Sequence, residues 1–424
     1  MDTKIVRITD KEQLKDEELL EAARILREGG LVAFPTETVY GLGGNALDEQ
    51  ASEKIYAAKG RPSDNPLIAH ISCMEELPAL VREVPEAGRR LAEAYWPGPL
   101  TMIFRKKDEV PYETTGGLET VAVRMPSDPV ASRLIRLAGV PVAAPSANTS
   151  GRPSPTRAEH VIEDLNGKID MIIDGGQVGI GVESTIVDVS GETPVLLRPG
   201  AVTMEMLEAV LGRVDIDPAI TGPVSADIKP KAPGMKYRHY APKAEMVLVE
   251  GEMEQVVRYI NQETKKAQKE GKTVGIICTE ESRNLYPEGI LEVIGSREYE
   301  ETVAHNLFAV LREFDDLGAD VIIAPTITGF TSTMLSKWRP SARIIGMSPS
   351  MATVRQMQIQ WGVTPVWSRR AESTDELIES SVGELKKDLV KTGELAVITA
   401  GVVTYARRHE AATQTNIMRV ITVD

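Results

Sequence analysis

At 424 residues the chain exceeds one ordinary domain and predicts two or three. Hydrophobic residues make up 42% and charged residues 26%, the balance of a globular protein, and no run reaches the roughly 18 apolar residues of a membrane helix, so no membrane role is expected. A net charge of −14 argues against stable nucleic-acid binding by the whole chain, and the 2 cysteines form no Cys-x-x-Cys motif of a zinc ribbon. Cys73 and Cys278 are expected to pack as small apolar side chains in a reducing compartment. The start of the sequence has no signal-peptide pattern, which predicts a cytoplasmic location.

Apolar residues at helical spacing (Leu19, Leu20, Ala23, Ile25, Leu26) predict a helix over 16–28, ended by Gly29-Gly30. A buried strand follows over 31–34. Helices are then predicted over 53–59, 74–80, 84–95 and 204–211. Strands are predicted over 67–70, 101–104, 121–124, 140–143, 171–173, 185–189 and 195–198. The pattern is an α/β domain with boundaries 1–211. Residues 212–242 read as a Pro/Gly-rich linker, carrying Lys229, Lys231, Lys236 and Arg238 without an acid from 229 onward. A second α/β pattern spans 243–320: strands at 245–250, 273–278, 291–294 and 320–324, and helices at 253–269 and 300–317. Alternation continues over 321–424, with helices at 331–338, 351–361 and 374–389 and strands at 342–346, 364–367, 394–398 and 417–423.

Several short motifs bear chemistry. Lys59 and Arg61 flank a glycine at a predicted helix end, before Pro62. A lysine supplies a point charge and an arginine a fork, both suited to phosphate; the competing reading is an exposed basic helix end. In Phe34-Pro-Thr-Glu-Thr-Val-Tyr-Gly41 a strand edge turns into a loop, where Thr36, Thr38 and Tyr40 offer hydroxyls for a substrate or for capping. Pro145-Ser-Ala-Asn148 follows a predicted strand, where α/β sheets place ligands, and Gly151 permits close approach. Val182-Glu-Ser-Thr185 gives Ser184 a comparable place. Arg124 ends an apolar strand, so its charge faces a cleft or an acid; His70 ends another, in a structural or a functional role.

Together with Trp96-Pro-Gly-Pro-Leu-Thr101 and Arg124-Met-Pro126, in this order and spacing, these motifs resemble the threonylcarbamoyl-AMP synthase family with its YrdC-like fold. The resemblance covers Val6 to Val210. It implies a YrdC-like α/β twisted-sheet domain, followed by a Rossmann-like α/β region. It further implies an enzyme that joins L-threonine, bicarbonate and ATP into threonylcarbamoyl-AMP and pyrophosphate, on the route to N6-threonylcarbamoyladenosine in tRNA. ATP is expected at Lys59, Arg61, Asn65, Ser146, Asn148, Arg152 and Arg198, with Mg2+ carried on its phosphates and no separate metal site assigned. Lys59 and Arg61 are the expected catalytic cations. Threonine is expected at Thr36, His70, Thr120, Arg124 and Ser184. In long members the run Pro-Gly-Met-Lys-Tyr-Arg-His-Tyr-Ala-Pro, here 233–242, folds over the site. Lys236, Tyr237 and Arg238 would then close it and Tyr240 would meet ATP. Downstream partners would be tRNA threonylcarbamoyl transferase proteins. Asp128 departs from the histidine usual after Arg-Met-Pro-Ser. Two other readings compete. One is carbamoyl-adenylate formation on the same fold, which normally comes with zinc-binding cysteine pairs that this sequence lacks. The other is a double-stranded-RNA-binding or effector-sensing module, whose RNA version the acidity disfavours.

From about Ala319 the sequence resembles the C-terminal α/β domain of pyruvate kinase, through Ser336-Lys-Trp-Arg-Pro340, Trp361-Gly-Val-Thr-Pro-Val366 and Val397-Ile-Thr-Ala-Gly401. The strand and glycine-rich helix that should end the accessory domain are not found in the sequence. Thr326, Thr328, Thr331 and Ser332 match an effector-phosphate loop, or else cap an ordinary βα turn. No pyruvate kinase activity is expected, because its chemistry resides in another domain. The segment is also a candidate for homo-oligomer assembly.

Overall fold

The computed structural model describes residues 2–221, 232, 244–250 and 253–317, and beyond them the strands Val321–Thr326, Ile344–Ser348, Val363–Trp367, Leu395–Ala400 and Ile417–Thr422. The chain divides into two units, one including Met1–Ile220 and the other Pro242–Glu300.

In the first unit the strands are β1 (Lys4–Arg7), β2 (Val32–Phe34), β3 (Gly41–Asn45), β4 (Ile68–His70), β5 (Leu100–Arg105), β6 (Thr120–Arg124), β7 (Val142–Ala143), β8 (Met171–Asp174), β9 (Thr185–Asp188), β10 (Val195–Arg198) and β11 (Asp215–Ile216). They form one mixed sheet of 11 strands, ordered β1-β8-β2-β3-β7-β4-β6-β5-β9-β10-β11. The main helices are α1 (Leu20–Arg27), α2 (Glu49–Lys59), α3 (Glu86–Tyr95), α4 (Tyr112–Thr115), α5 (Pro129–Ala138), α6 (Ala158–Leu165), α7 (Met204–Leu211) and α8 (Pro218–Thr221).

Local chemistry sets the helix ends. The Asp48 side chain accepts from the Gln50 amide at α2's start, and Gly60 closes it at φ 61°, so Lys59 is its final residue. Asp128 accepts from the amides of Val130 and Ala131 at the start of α5 and pairs with Lys11 at 2.7 Å. The departure from the family pattern at 128 is therefore a helix cap.

Val32, Phe34, Met171 and Ile173 of the sheet pack with Leu26 of α1 and Leu134 and Ile135 of α5. The opposite face builds the larger core, from Ala33, Leu42, Ala69, Met102, Phe104, Val121, Val123 and Val187 with Ile55 of α2, Leu91 of α3 and Val161 of α6.

Two sequence expectations are corrected and two are refined. The Gly-Leu-Gly-Gly-Asn run, given no element above, is strand β3; a Cβ on Gly43 would lie 2.7 Å from the Phe34 ring, so glycine is what lets the strand pair there. The stretch from 212 does not begin as linker: Val214 is buried in the core, β11 pairs in parallel with β10, and α8 follows. Residues 74–79 form a 3-10 helix rather than an α-helix. Cys73 is half-buried beside Glu75 and Glu76, not in an apolar setting, and both burial and these carboxyls raise its pKa. Cys278 is buried in an apolar cluster, as expected.

The second unit contains β12 (Glu245–Glu250), α9 (Met253–Lys269), β13 (Val274–Thr279), β14 (Ile290–Gly295) and β15 (Val321–Thr326), and α10 (Glu300–Asp316) is divided between the two units, with Glu301–Leu311 counted in the first. The strands form a parallel sheet ordered β12-β15-β13-β14. Gly275 of β13 lets the Phe314 ring approach; a Cβ there would meet it at 2.3 Å. The strand predicted over 320–324 is β15, which fills an inner place in this sheet. Strands Ile344–Ser348 and Val363–Trp367 pair in parallel, and Leu395–Ala400 pairs antiparallel with Ile417–Thr422. The helices predicted at 331–338, 351–361 and 374–389 lie outside the described residues.

Candidate active site

Strand alternation sends every second side chain of β4, β5 and β6 away from the larger core. On that side Ile68, Ile103 and Ala122 cluster with Ile186 and Leu197, and with Ala232 from the chain beyond α8. Next to this patch the same face turns polar. His70 lies opposite Arg124 in the β4–β6 register, and Arg124 lies opposite Thr101 in the β5–β6 register. All three are buried.

Arg124 is the hub. Its Nε donates to the Gly98 carbonyl at 3.3 Å, within the Trp-Pro-Gly-Pro motif, and its Nη1 donates to Thr38 Oγ1 at 2.9 Å. Its Nη2 lies 2.7 Å from Glu37 Oε1, with the two side chains 5% and 13% exposed. Burial opposes the charge of Glu37, but the Arg124 guanidinium outweighs it and the carboxyl titrates below its usual range. Burial, and then the Arg124 charge, press the His70 pKa down to about 3, so the ring is neutral; Nδ1 donates to the Ile68 carbonyl at 3.0 Å.

The turn before β3 fixes the hydroxyls around this hub. Thr36 Oγ1 donates to the Val39 carbonyl at 2.6 Å, so the Thr38 hydroxyl donates to Thr36 Oγ1 at 2.9 Å. On the far side of Arg124, Thr101 Oγ1 and Ser184 Oγ share a hydrogen bond of 2.8 Å. Arg198 donates to Ser184 through Nη2 to Oγ at 3.1 Å and through Nε to the carbonyl at 3.0 Å.

A second cluster forms where α2 ends. Lys59 is 2% exposed. Its ammonium donates to the carbonyls of Ser146 and Asn148 and reaches Asn148 Oδ1 at 3.3 Å. Ser146 Oγ donates to Asn148 Oδ1 at 2.6 Å, and Asn148 Nδ2 donates to the carbonyls of Thr149 and Arg152 at 2.9 Å each. Arg61 donates to the carbonyls of Asn65 and Pro66 at 3.4 and 3.0 Å. Asn65 is 1% exposed, and neither amide atom meets a hydrogen-bond partner. The two clusters are joined through one loop, since the amide of Ala147 donates to the Tyr40 carbonyl and that of Leu42 to the Pro145 carbonyl, both at 2.8 Å.

The structure thus brings Thr36, His70, Arg124, Ser184 and Arg198 together, and Lys59, Arg61, Asn65, Ser146 and Asn148 together. Thr120 shares a strand face with Arg124 but opens β6 where Arg124 ends it, roughly 13 Å away along the strand, outside the Arg124 cluster. Arg152 is already balanced by Asp164 at 2.5 Å and Glu163 at 2.8 Å. The Tyr40 hydroxyl, read as a substrate contact, instead donates to the Gly176 carbonyl at 2.7 Å and accepts from the Gly175 amide at 3.1 Å, on the core side of the sheet. Lys236, Tyr237, Arg238 and Tyr240 lie outside the described residues, as do Thr328, Thr331 and Ser332. Thr326 is the last residue of β15, paired with Glu250. Glu37 and Thr101 were missed by sequence reasoning. Thr101 did carry a signal, a hydroxyl within the otherwise apolar run 100–104.

Among the described residues no three His, Cys, Asp or Glu side chains converge to hold a metal. Also among them, no helix is long and apolar enough to cross a membrane.

A family model described as Telomere recombination (Sua5_yciO_yrdC) matches residues 24–200, and one described as Threonylcarbamoyl-AMP synthase, C-terminal domain, matches 202–335. The threonylcarbamoyl-AMP synthase of Pyrococcus abyssi is 51% identical over 317 residues, 75% of this chain and 91% of that protein. The chain belongs to the threonylcarbamoyl-AMP synthase family. The Bacillus subtilis family member is 48% identical over 320 residues, 75% of this chain and 90% of that protein. A solved structure of P. abyssi Sua5 complexed with L-threonine is similar at a TM-score of 0.72 and 47% identity, covering 80% of this chain and 97% of that one. A model described as Pyruvate kinase, alpha/beta domain, matches residues 302–421. It overlaps the synthase C-terminal model over 302–335, the stretch that contains β15.

Proposed function

We propose that this family member is a nucleotidyltransferase that forms threonylcarbamoyl-AMP and pyrophosphate from L-threonine, bicarbonate and ATP. The observation that carries the reading is the buried row His70–Arg124–Thr101, joined through one loop to the Lys59–Ser146–Asn148 cluster. A site for a small zwitterion and a site for an anion share a backbone connection, in a chain similar to a protein solved with L-threonine.

Arg124 takes the amino-acid carboxylate, as a guanidinium fork does. Thr36, the neutral His70 and Ser184 surround it as hydrogen-bonding groups. Arg61, Asn65, Ser146, Asn148 and Arg198 face the triphosphate and the nucleoside, with Arg152 at the margin. The unpartnered amide of Asn65 offers both a donor and an acceptor to the ligand. Lys59 shapes the 146–148 loop and lends its positive charge to it. The amine, carboxylated by bicarbonate with loss of water, becomes a carbamate whose oxygen attacks the α-phosphorus while pyrophosphate leaves. The contribution of the chain is to position two anions and to balance the charge that develops. The described residues offer no carboxylate cage, so Mg2+ enters only as a companion of the triphosphate and no step is assigned to it.

Buried Ala232 lies on the sheet face that carries His70 and Arg124, just before the run 233–242. That position supports a closing role for Lys236, Tyr237 and Arg238. The product would pass to tRNA threonylcarbamoyl transferase proteins. The deciding experiment is pyrophosphate release from ATP, expected only when L-threonine and bicarbonate are both present. Release that ignores either one, or that needs carbamoyl phosphate, overturns the proposal.

A further inference from the structure

Tyr56 lies one helical turn before Lys59 on α2 and has no part in the assignment above. Its ring is buried in the larger core. Its hydroxyl is 3.1 Å from the Asn65 carbonyl and 3.0 Å from the Glu113 carbonyl, so a single proton serves acceptors on two loops. Burial pushes the phenol up to about 12, which keeps that proton in place at neutral pH. The Tyr56 carbonyl also accepts from the Arg61 amide at 3.0 Å. One residue therefore holds the stretch 61–65 at both ends. The two loops pack backbone to backbone, since a Cβ on Gly116 would lie 3.0 Å from the Asp64 carbonyl oxygen. That stretch carries Arg61 and Asn65, both assigned to ATP. The Asn65 amide is buried and meets no partner in the protein, so only its backbone fixes where it stands.

We propose that Tyr56 is a positioning residue for the nucleotide: by holding the Asn65 carbonyl, its hydroxyl sets the Asn65 amide where ATP meets it. The inference rests on the ATP reading given above. A hydrogen bond weakens steeply with misalignment, so a side chain waiting for a ligand depends on the backbone that carries it. Without the hydroxyl, the Asn65 carbonyl is left to Arg61 Nε at 3.4 Å. The same guanidinium would then serve both the loop and the phosphates. Tyr56 acts through Asn65 and is not itself a ligand contact.

The test is Tyr56→Phe, which keeps the ring in the core and removes one oxygen atom. The KM for ATP is measured at saturating L-threonine and bicarbonate, and the KM for L-threonine at saturating ATP. The KM for ATP should rise about five- to tenfold, the worth of one hydrogen bond, with the KM for L-threonine unchanged. In an Asn65→Ala background the same substitution should add less than about twofold, because the amide it positions is gone. A merely structural hydroxyl would move both constants together or neither. An unchanged KM for ATP, an equal rise in both constants, or a full effect in the Asn65→Ala background overturns the proposal. If Tyr56→Phe does not fold, Tyr56→Met takes its place with the same pattern expected. Asn65→Ala with a wild-type KM for ATP would instead sink the parent reading, and this inference with it.

Discussion

The two ends of the site are built on opposite plans. Around Lys59 a buried ammonium meets neutral groups: it is enclosed by the carbonyls of Ser146 and Asn148, and the Ser146 and Asn148 side chains bond to each other, while the nearby Asn65 amide is left without a partner. Around Arg124 the buried charge is instead balanced by one of opposite sign, Glu37 at 2.7 Å. The first plan suits a large polyanion, which binds to a loop already shaped and positively charged. The second suits a small ligand, because a guanidinium held in place by a carboxylate presents its donors in a fixed geometry.

The largest effect tests the Arg124 end. Arg124→Met strands Glu37 as a buried, unpaired carboxylate, and should cost about 3–5 kcal/mol of stability in urea denaturation as well as activity. A variant of wild-type stability would break the comparison, since the ion pair would then not hold this end together.

At the other end, Lys59→Met should cut pyrophosphate release by at least about tenfold and also lower the thermal midpoint, because buried carbonyls of 146 and 148 lose their donor. Arg61→Ala should cut turnover comparably with a smaller change in midpoint, as Arg61 is only half-buried. If both variants keep wild-type midpoints, Lys59 does not organise its loop.

Acid should act mainly on the Arg124 end. The folded-state pKa of His70 is pressed from 6.5 to about 3, and that of Glu37 lies below 4.5. Both depressions work in one direction. The His70 contribution is fully present above its unfolded pKa and is lost as pH falls toward about 3; that of Glu37 follows below 4.5. Denaturation midpoints measured from about pH 7 down to about pH 4 should fall, and His70→Gln should flatten that decline. An equal slope in the variant would place the acid sensitivity elsewhere.

The smallest effect is a control. Asp128→Ala removes the cap of α5 and should cost about 1 kcal/mol, with the KM for L-threonine unchanged. A raised KM would mean that position 128 serves the site after all.

Much of this was legible in the sequence because it is local. Apolar periodicity places α1, β5, β6 and β10 within a few residues, and the Gly29-Gly30 and Gly60 endings follow from backbone freedom. The motif set carries the family. What stayed hidden is non-local. Gly41–Asn45 is given no element by the sequence and becomes a strand because Phe34 and Val142 press against Gly43. Tyr40 and Thr38 are two residues apart with similar polar chemistry; the fold turns one hydroxyl to Gly175 and Gly176 and the other to Arg124. Glu37 sat in view between two threonines, but nothing in its neighbours shows that Arg124, far along the chain, would meet it.

By itself the sequence determined that this chain contains a threonylcarbamoyl-AMP synthase module joined to a pyruvate-kinase-like segment, because ordered motifs and periodic patterns are written residue by residue. Only the tertiary structure decided which polar groups are spent inside the protein and which are left for a ligand. That division depends on contacts such as 37 with 124 and 59 with 148, between residues that chain order keeps apart and sheet register brings together.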